Sequence, residues 1–276
     1  MTTTAASLSA GRSRPWGRWS VRAAALTYLA ALLIIPLAII FEDGLRGGPW
    51  RALAQPVARH ALWLTLWTAA LMALINAVMG TLTAYVLVRY RFPGKALLNA
   101  LVDLPFAIPT LVAGVMLVAL YGPQRTLGAW LDQQFGVQVL FAPPGIILAL
   151  LFVTFPFVVR TVQPVLEGLE RDQEEAAATI GAASWTIFRR VVLPALAPAL
   201  ISGTLLSFAR AIGEFGAIVV VAGNIPFRSQ TAAVYVFGEI ESGNQRGASA
   251  MSVVMLAIAF ATVLAVDWLQ RRQAHE

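Results

Sequence analysis

VLEGLERDQEEAAATIGAASWTIFRRVVLP, residues 165–194, is a long charged interruption in an otherwise apolar chain. It carries Glu167, Glu170, Arg171, Asp172, Glu174, Glu175, Arg189 and Arg190, too many charges to cross a bilayer. Its pattern is also too regular for a linker. Asp172 suits a helix N-cap, and Glu175 three residues on completes a capping-box-like pair. Glu174 and Glu175 fall where the helix dipole favours negative charge. A short helix is predicted through Ala176, Ala177, Ala178 and Ile180, ended by Gly181, which takes the left-handed cap conformation most easily. Ser184 is placed to cap a second short helix with Trp185, Ile187, Phe188, Val191 and Val192, which Pro194 would stop. The stretch reads as a helix–turn–helix lying along a membrane face and exposing small alanines and two carboxylates. Small side chains allow another backbone to come close, which suits a plug for a groove on a partner protein. An interfacial helix on lipid headgroups satisfies the local chemistry equally, although paired carboxylates facing an anionic leaflet weigh against lipid.

Outward from this loop the chain is built for a membrane. Of 276 residues, 58 % are hydrophobic and 12 % charged, and the mean hydropathy is +0.73. Soluble domains hold roughly 45–50 % and about 25 %. Six apolar segments reach the roughly 20 residues that a helix needs to span: 22–41, 60–88, 97–120, 145–164, 195–222 and 248–269. The expected fold is therefore an all-α membrane protein with six transmembrane helices and the 165–194 loop between the fourth and fifth. A cytoplasmic tail, 1–21, precedes a first helix and external loop, 22–59; a five-helix membrane domain, 60–270, follows, and 271–276 form a second cytoplasmic tail. The apolar run 23–41 is longer than a signal-peptide core and no small-residue cleavage site precedes Glu42, so it reads as a retained span.

Basic residues set the orientation. With the N-terminus inside, the inner flanks hold Arg12, Arg14, Arg18, Arg22, Arg89, Arg91, Lys95, Arg160, Arg171, Arg189, Arg190, Arg271 and Arg272. The outer flanks hold the fewer Arg46, Arg51, Arg59, Arg125, Arg228 and Arg246. Both termini are thus expected in the cytoplasm, and the net charge of +6 belongs to topology rather than to nucleic acid. Lys95 is the only lysine. Trp16, Trp19, Trp63, Trp67 and Trp268 fit an interfacial belt.

Chemistry is sparse. There is no cysteine, and the histidines are His60 and His275 alone, so neither a metal site nor a catalytic dyad is expected. No Gly-x4-Gly-Lys-Ser/Thr phosphate loop occurs, so ATP and its Mg would have to be held by another polypeptide. Arg210 and Glu214, four apart inside the fifth segment, share a helix face and can pair. One reading lines a translocation path with them, Arg210 offering charge to an anion; the other is a salt bridge that locks the span. Thr110 and Ser207 could line the same path, though both residue types more often pack helices. Asp103 is expected to cap or sit at the interface near Lys95 and Arg91, and Asp267 to pair with Arg271. Pro105, Pro109 and Pro156 fall inside segments, where they bend helices and can let them splay around a pathway.

Glu175-Ala176-Ala177, Gly181 and Val191-x-Leu193-Pro194 resemble the Glu-Ala-Ala-x3-Gly-x9-Ile-x-Leu-Pro pattern of type I ABC importer permeases, with valine for isoleucine at 191. The resemblance implies that this loop is the coupling helix, with Glu174, Glu175, Ala176, Ala177, Gly181, Leu193 and Pro194 docking an ATPase dimer. Further stretches resemble the oxyanion branch: Phe92-Pro93-Gly94-Lys95, Asp103 to Thr110, Val158 to Glu167, and Ser207 to Ala217. They are most similar to sulfate/thiosulfate permeases of T type. Molybdate permeases share Arg210-x-x-Gly213-Glu214-Phe215-Gly216 and Gly223-Asn224-Ile225-Pro226 but usually lack the first span. The resemblance implies an ATP-driven anion importer of the bacterial cytoplasmic membrane, with a sibling W-type permease subunit and a periplasmic sulfate-binding protein. A molybdate or tungstate permease is the near alternative. A stand-alone channel or carrier is the distant one, and it leaves the loop unexplained.

Overall fold

A computed structural model describes residues 15–273. The outer parts of the two expected tails, 1–14 and 274–276, with His275, lie outside the described residues. Helix is the only regular structure among the described residues, as an apolar chain in lipid must satisfy its backbone internally. The first helix is longer than expected: α1 (Pro15–Leu29), a π turn (Ala30–Ile34) and α2 (Ile35–Gly47) form one rod that begins inside the predicted tail. The predicted external loop is shared by the end of α2, a short α3 (Pro49–Ala54) and the start of the next helix. α4 (Pro56–Arg89) has 34 residues, roughly 51 Å at 1.5 Å per residue, so it overshoots the roughly 30 Å hydrocarbon core.

The third apolar segment is not a straight span. It folds as α5 (Lys95–Ala107) and α6 (Thr110–Tyr121), bent by 112°. Pro109 is the cause: it drives the preceding Ile108 into the extended region (φ −83, ψ 126) and supplies no N–H of its own. Pro105 and Pro156 stay inside continuous helices. α7 (Thr126–Phe135) then leads into α8 (Pro143–Gly168). Past it come α9 (Arg171–Thr179) and α10 (Ser184–Ile187) of the charged loop. Here Pro194 does not stop the second helix. A π turn (Phe188–Val192) absorbs the missing N–H, and α10 continues into α11 (Leu193–Ile212) as one 29-residue helix, Ser184–Ile212. A break at Gly213–Phe215 precedes α12 (Gly216–Ala222), α13 (Ala232–Glu241) follows, and α14 (Gln245–Gln273) closes the chain. Among the described residues five helices are long and apolar enough to span, or six if the bent α5–α6 pair counts as one.

α4, α8 and α11 form the centre. Met72, Ala73, Leu150, Ala211 and Ile212 fill the middle of the seam, and Leu87, Val158, Val162, Leu166 and Leu196 fill the end nearer α9. At the opposite end Ala58, Ala61, Ala232, Tyr235 and Met251 join α4 to α13 and α14. A buried polar knot crosses the seam: Asn76 Nδ2 donates to Thr154 Oγ1 at 2.9 Å, and Ser207 Oγ to the Thr154 carbonyl at 3.4 Å. Such bonds hold helices together where lipid provides no hydrophobic drive. The N-terminal rod meets the rest through α2 on α14, where the missing Cβ of Gly44 lets the Ser249 carbonyl come close.

Candidate docking face and charged sites

α9 starts two residues earlier than the capping pattern suggests. Glu170 holds the cap position with extended backbone and no side-chain bond, so Asp172 lies in the first turn instead of capping. Ala183, not Ser184, precedes α10. The C-terminal end follows expectation. Gly181 has φ +83, its N–H donates to the Ala178 carbonyl at 3.0 Å, and the Ala182 N–H reaches back to Ala177 at 3.1 Å. These two bonds make a Schellman ending, which favours glycine for its positive φ.

The helical period then divides the expected docking residues between two faces. Glu174 and Ala177 turn inward, while Glu175, Ala176, Gly181 and Pro194 are exposed and Leu193 is half-buried. Ile180 is 85 % exposed and Trp185 is exposed as well, so the loop carries uncovered apolar side chains along with Glu175. Glu174 belongs to a different structure. Its Oε1 accepts from Arg89 Nη2 at 2.5 Å, with the two side chains only 18 % and 9 % exposed. Arg89 Nη2 also reaches the Leu169 carbonyl at 3.3 Å, and Arg171 Nη2 donates to the Arg89 carbonyl at 3.4 Å. The ends of α4 and α8 and the start of α9 are thus tied together, with a cation at a helix C-terminus and an anion at an N-terminus. Tyr85 adds an edge contact to Phe188, 5.6 Å between ring centroids. A cleft of about 320 Å³ opens beside the knot between Tyr85, Tyr90, Arg171 and Glu175.

Arg210 and Glu214 do pair, Nη2 to Oε2 at 2.7 Å. Glu214 is 2 % exposed and Arg210 37 %. The second Glu214 oxygen accepts the Ala217 N–H at 3.0 Å, so one carboxylate neutralises Arg210 and caps the broken-off α12. That dual use explains why a charge stands at this break. Thr110 begins α6 and presses against Gly216 at the start of α12, which brings the two helix breaks together. Ser207 faces the α4–α8 seam and is fully buried, so it contacts no open surface of the chain.

Asp103 does not use Lys95 or Arg91. Its carboxylate takes two bonds from Arg160, Nε to Oδ1 at 2.7 Å and Nη2 to Oδ2 at 2.6 Å. The remaining donors of Arg160 reach Asn99 Oδ1 at 2.9 Å, Gln163 Oε1 at 2.5 Å and the Asn99 carbonyl at 2.9 Å. All five N–H groups are matched, which makes this guanidinium a clasp of α5 on α8. The signal was available: each charge lies eight residues from the end of its helix, Gly168 and Lys95, so both sit about 12 Å in. Asp267 pairs with Arg271 at 2.8 Å. Among the described residues no cluster of three His, Cys, Asp or Glu side chains could hold a metal.

Membrane-length helices thus pack around one seam, two of the segments broken, with a short exposed helix at one end. Residues 76–275 match the binding-protein-dependent transport system inner membrane component, and the chain belongs to that family. Its relatives narrow the branch. It is 44 % identical over 248 residues to the probable sulfate transport system permease protein cysT of Nephroselmis olivacea, covering 89 % of this chain and 87 % of that one. It is 41 % identical over 250 residues to the sulfate transport system permease protein CysT of Escherichia coli K12, 90 % of each chain. In fold it is similar to a bacterial ABC transporter involved in the import of the acidic polysaccharide alginate, with a TM-score of 0.75 at 17 % identity over 93 % of this chain and 96 % of that one. The MetNI methionine ABC transporter aligns at 0.60 and 18 % identity over 78 % and 95 %. At such identities the last two likenesses are of fold alone.

Proposed function

We propose that this chain is the non-catalytic permease subunit of an ATP-driven importer carrying sulfate or thiosulfate by alternating access. The observation that carries the reading is 41 % identity to the E. coli sulfate permease along nine-tenths of both chains. Molybdate as cargo is disfavoured by the same similarity, and a stand-alone channel or carrier by the family membership. The outward face of α9, with Glu175, Ala176 and Ile180, serves as the docking surface for an ABC ATPase dimer, which binds ATP and Mg. Both termini and α9 then lie in the cytoplasm, in line with the excess of arginine at that end. The opposite end receives a periplasmic sulfate-binding protein, and a second permease subunit of W type completes the pathway.

Co-expression with the candidate ATPase, sibling subunit and binding protein tests this. The ATPase should co-purify, and Glu175→Lys or Gly181→Pro should abolish that capture. Proline is excluded at 181 because its φ is fixed near −65° and the position needs +83. Proteoliposomes should accumulate labelled sulfate only with ATP inside the ATPase compartment. Uptake of molybdate in preference to sulfate, or uptake without any ATPase, would refute the assignment.

A further inference from the structure

Movement at α9 has three ways into the bundle. The chain itself leads back to α8 through the extended Leu169 and forward to α11 through Gly181 and the π turn at Phe188–Val192. Both are compliant: one is non-helical, and the other passes a left-handed glycine and a stretch with rearranged hydrogen bonds. α8 also contains Pro156 and Pro164, and α11 contains Pro198. The third way is through side chains. α4 carries no proline beyond its first residue and stays helical for 34 residues. It is fixed to α9 by the half-buried Arg89–Glu174 pair at 2.5 Å. At its far end Gln55 Oε1 accepts from Tyr235 Oη at 3.0 Å, and Thr65 Oγ1 accepts the Ala232 N–H at 2.8 Å. A push on α9 therefore arrives at the start of α13 on the opposite face.

We propose that Arg89 and Glu174 are positioning residues that form the joint between the docking helix and α4, so that they set coupling and not docking. This rests on the reading of α9 as the ATPase-docking helix. The helical period supports the division of labour, since Glu175 projects outward from the same turn on which Glu174 is held inward. The joint converts ATPase closure into displacement of a rod that reaches the other side of the membrane, while the compliant chain connections let α9 tilt.

The assembled complex in proteoliposomes tests the joint, with ATPase capture, ATP hydrolysis and sulfate uptake measured on the same preparation. Glu174→Gln should hold the ATPase at wild-type stoichiometry while sulfate moved per ATP falls at least tenfold. Because the chain has no cysteine, Arg89→Cys with Glu174→Cys allows a short, reducible bis-thiol bridge across the joint on a clean background. Bridging should restore uptake per ATP at least halfway to wild type, and reduction should remove it again. A merely structural pair would not respond reversibly to the bridge. Loss of ATPase capture in Glu174→Gln, as in Glu175→Lys, would make Glu174 a docking residue and overturn the proposal. Unchanged uptake per ATP in Glu174→Gln, or no recovery on bridging, would overturn it as well. Absence of ATP-driven sulfate uptake by the wild-type complex would instead sink the permease assignment, and the joint with it.

Discussion

The Arg210–Glu214 pair has an asymmetry that fixes the cost of breaking it from either side. Replacing Arg210 with glutamine leaves a carboxylate that is 2 % exposed with a single remaining donor, the Ala217 N–H. Removing one partner of a buried pair costs about 3–5 kcal/mol. Arg210 is 37 % exposed and so the less enclosed partner, and the lower end, about 3 kcal/mol, applies. Glu214→Gln is milder. The amide oxygen can still accept from Ala217, and the partly exposed guanidinium can turn outward, for a loss of about 1 kcal/mol. With both glutamines no charge is stranded, and the double variant should be about as stable as Glu214→Gln alone. The coupling between the two sites is then about 3 kcal/mol, at the top of the range for contacting residues. Thermal unfolding in detergent, followed through the eight tryptophans, reads all four proteins. Equal losses from the two single variants, or additivity within about 0.5 kcal/mol, would refute the reasoning. Sulfate uptake separates the two roles. A structural lock predicts that the double variant regains uptake with stability, whereas regained stability without uptake would place Arg210 in the path of the anion.

Arg160→Lys keeps the charge but offers three donors in place of five, and none in a planar fork. It should cost about 2 kcal/mol and speed hydrogen exchange across residues 95–107, while exchange in α9 stays unchanged. Gly114→Leu tests the contact between the two broken segments. A Cβ there would sit 2.8 Å from the Ala217 carbonyl oxygen, so α6 must move off α12, and overpacking should lower stability by about 1–3 kcal/mol in the same thermal assay.

The sequence made the membrane class and the placement of the charged loop legible, because apolar run length and charge density act locally. Gly181 was legible for the same reason: only a position needing positive φ places glycine after an alanine-rich helix. The i, i+4 pairs Arg210–Glu214 and Asp267–Arg271 follow from helical period alone. Caps were less secure. Ser184 and Asp172 both carry suitable side chains, yet the caps fall at Ala183 and Glu170, one and two residues before them. Pro194 misled for a different reason. Proline ends a helix only when the lost hydrogen bond has no remedy, and a π turn supplied one.

What the sequence by itself determined is thus the part of the protein governed by short-range rules: helices of membrane length, an alanine-rich charged helix between the fourth and fifth apolar runs, and pairs one turn apart. Tertiary structure decided which residues meet across the bundle. Arg89 and Glu174 are separated by 85 positions and Asp103 and Arg160 by 57, and the only hint at either match is the equal depth of the second pair along its two helices. It decided the sharp turn at Pro109 and the seating of Thr110 on Gly216, since whether a proline bends or breaks a helix depends on what packs beside it. It also divided two adjacent glutamates of one motif between different faces. Glu174 is drawn inward because a half-buried guanidinium needs a partner, and Glu175, a hundred degrees further round the same turn, is left to face outward.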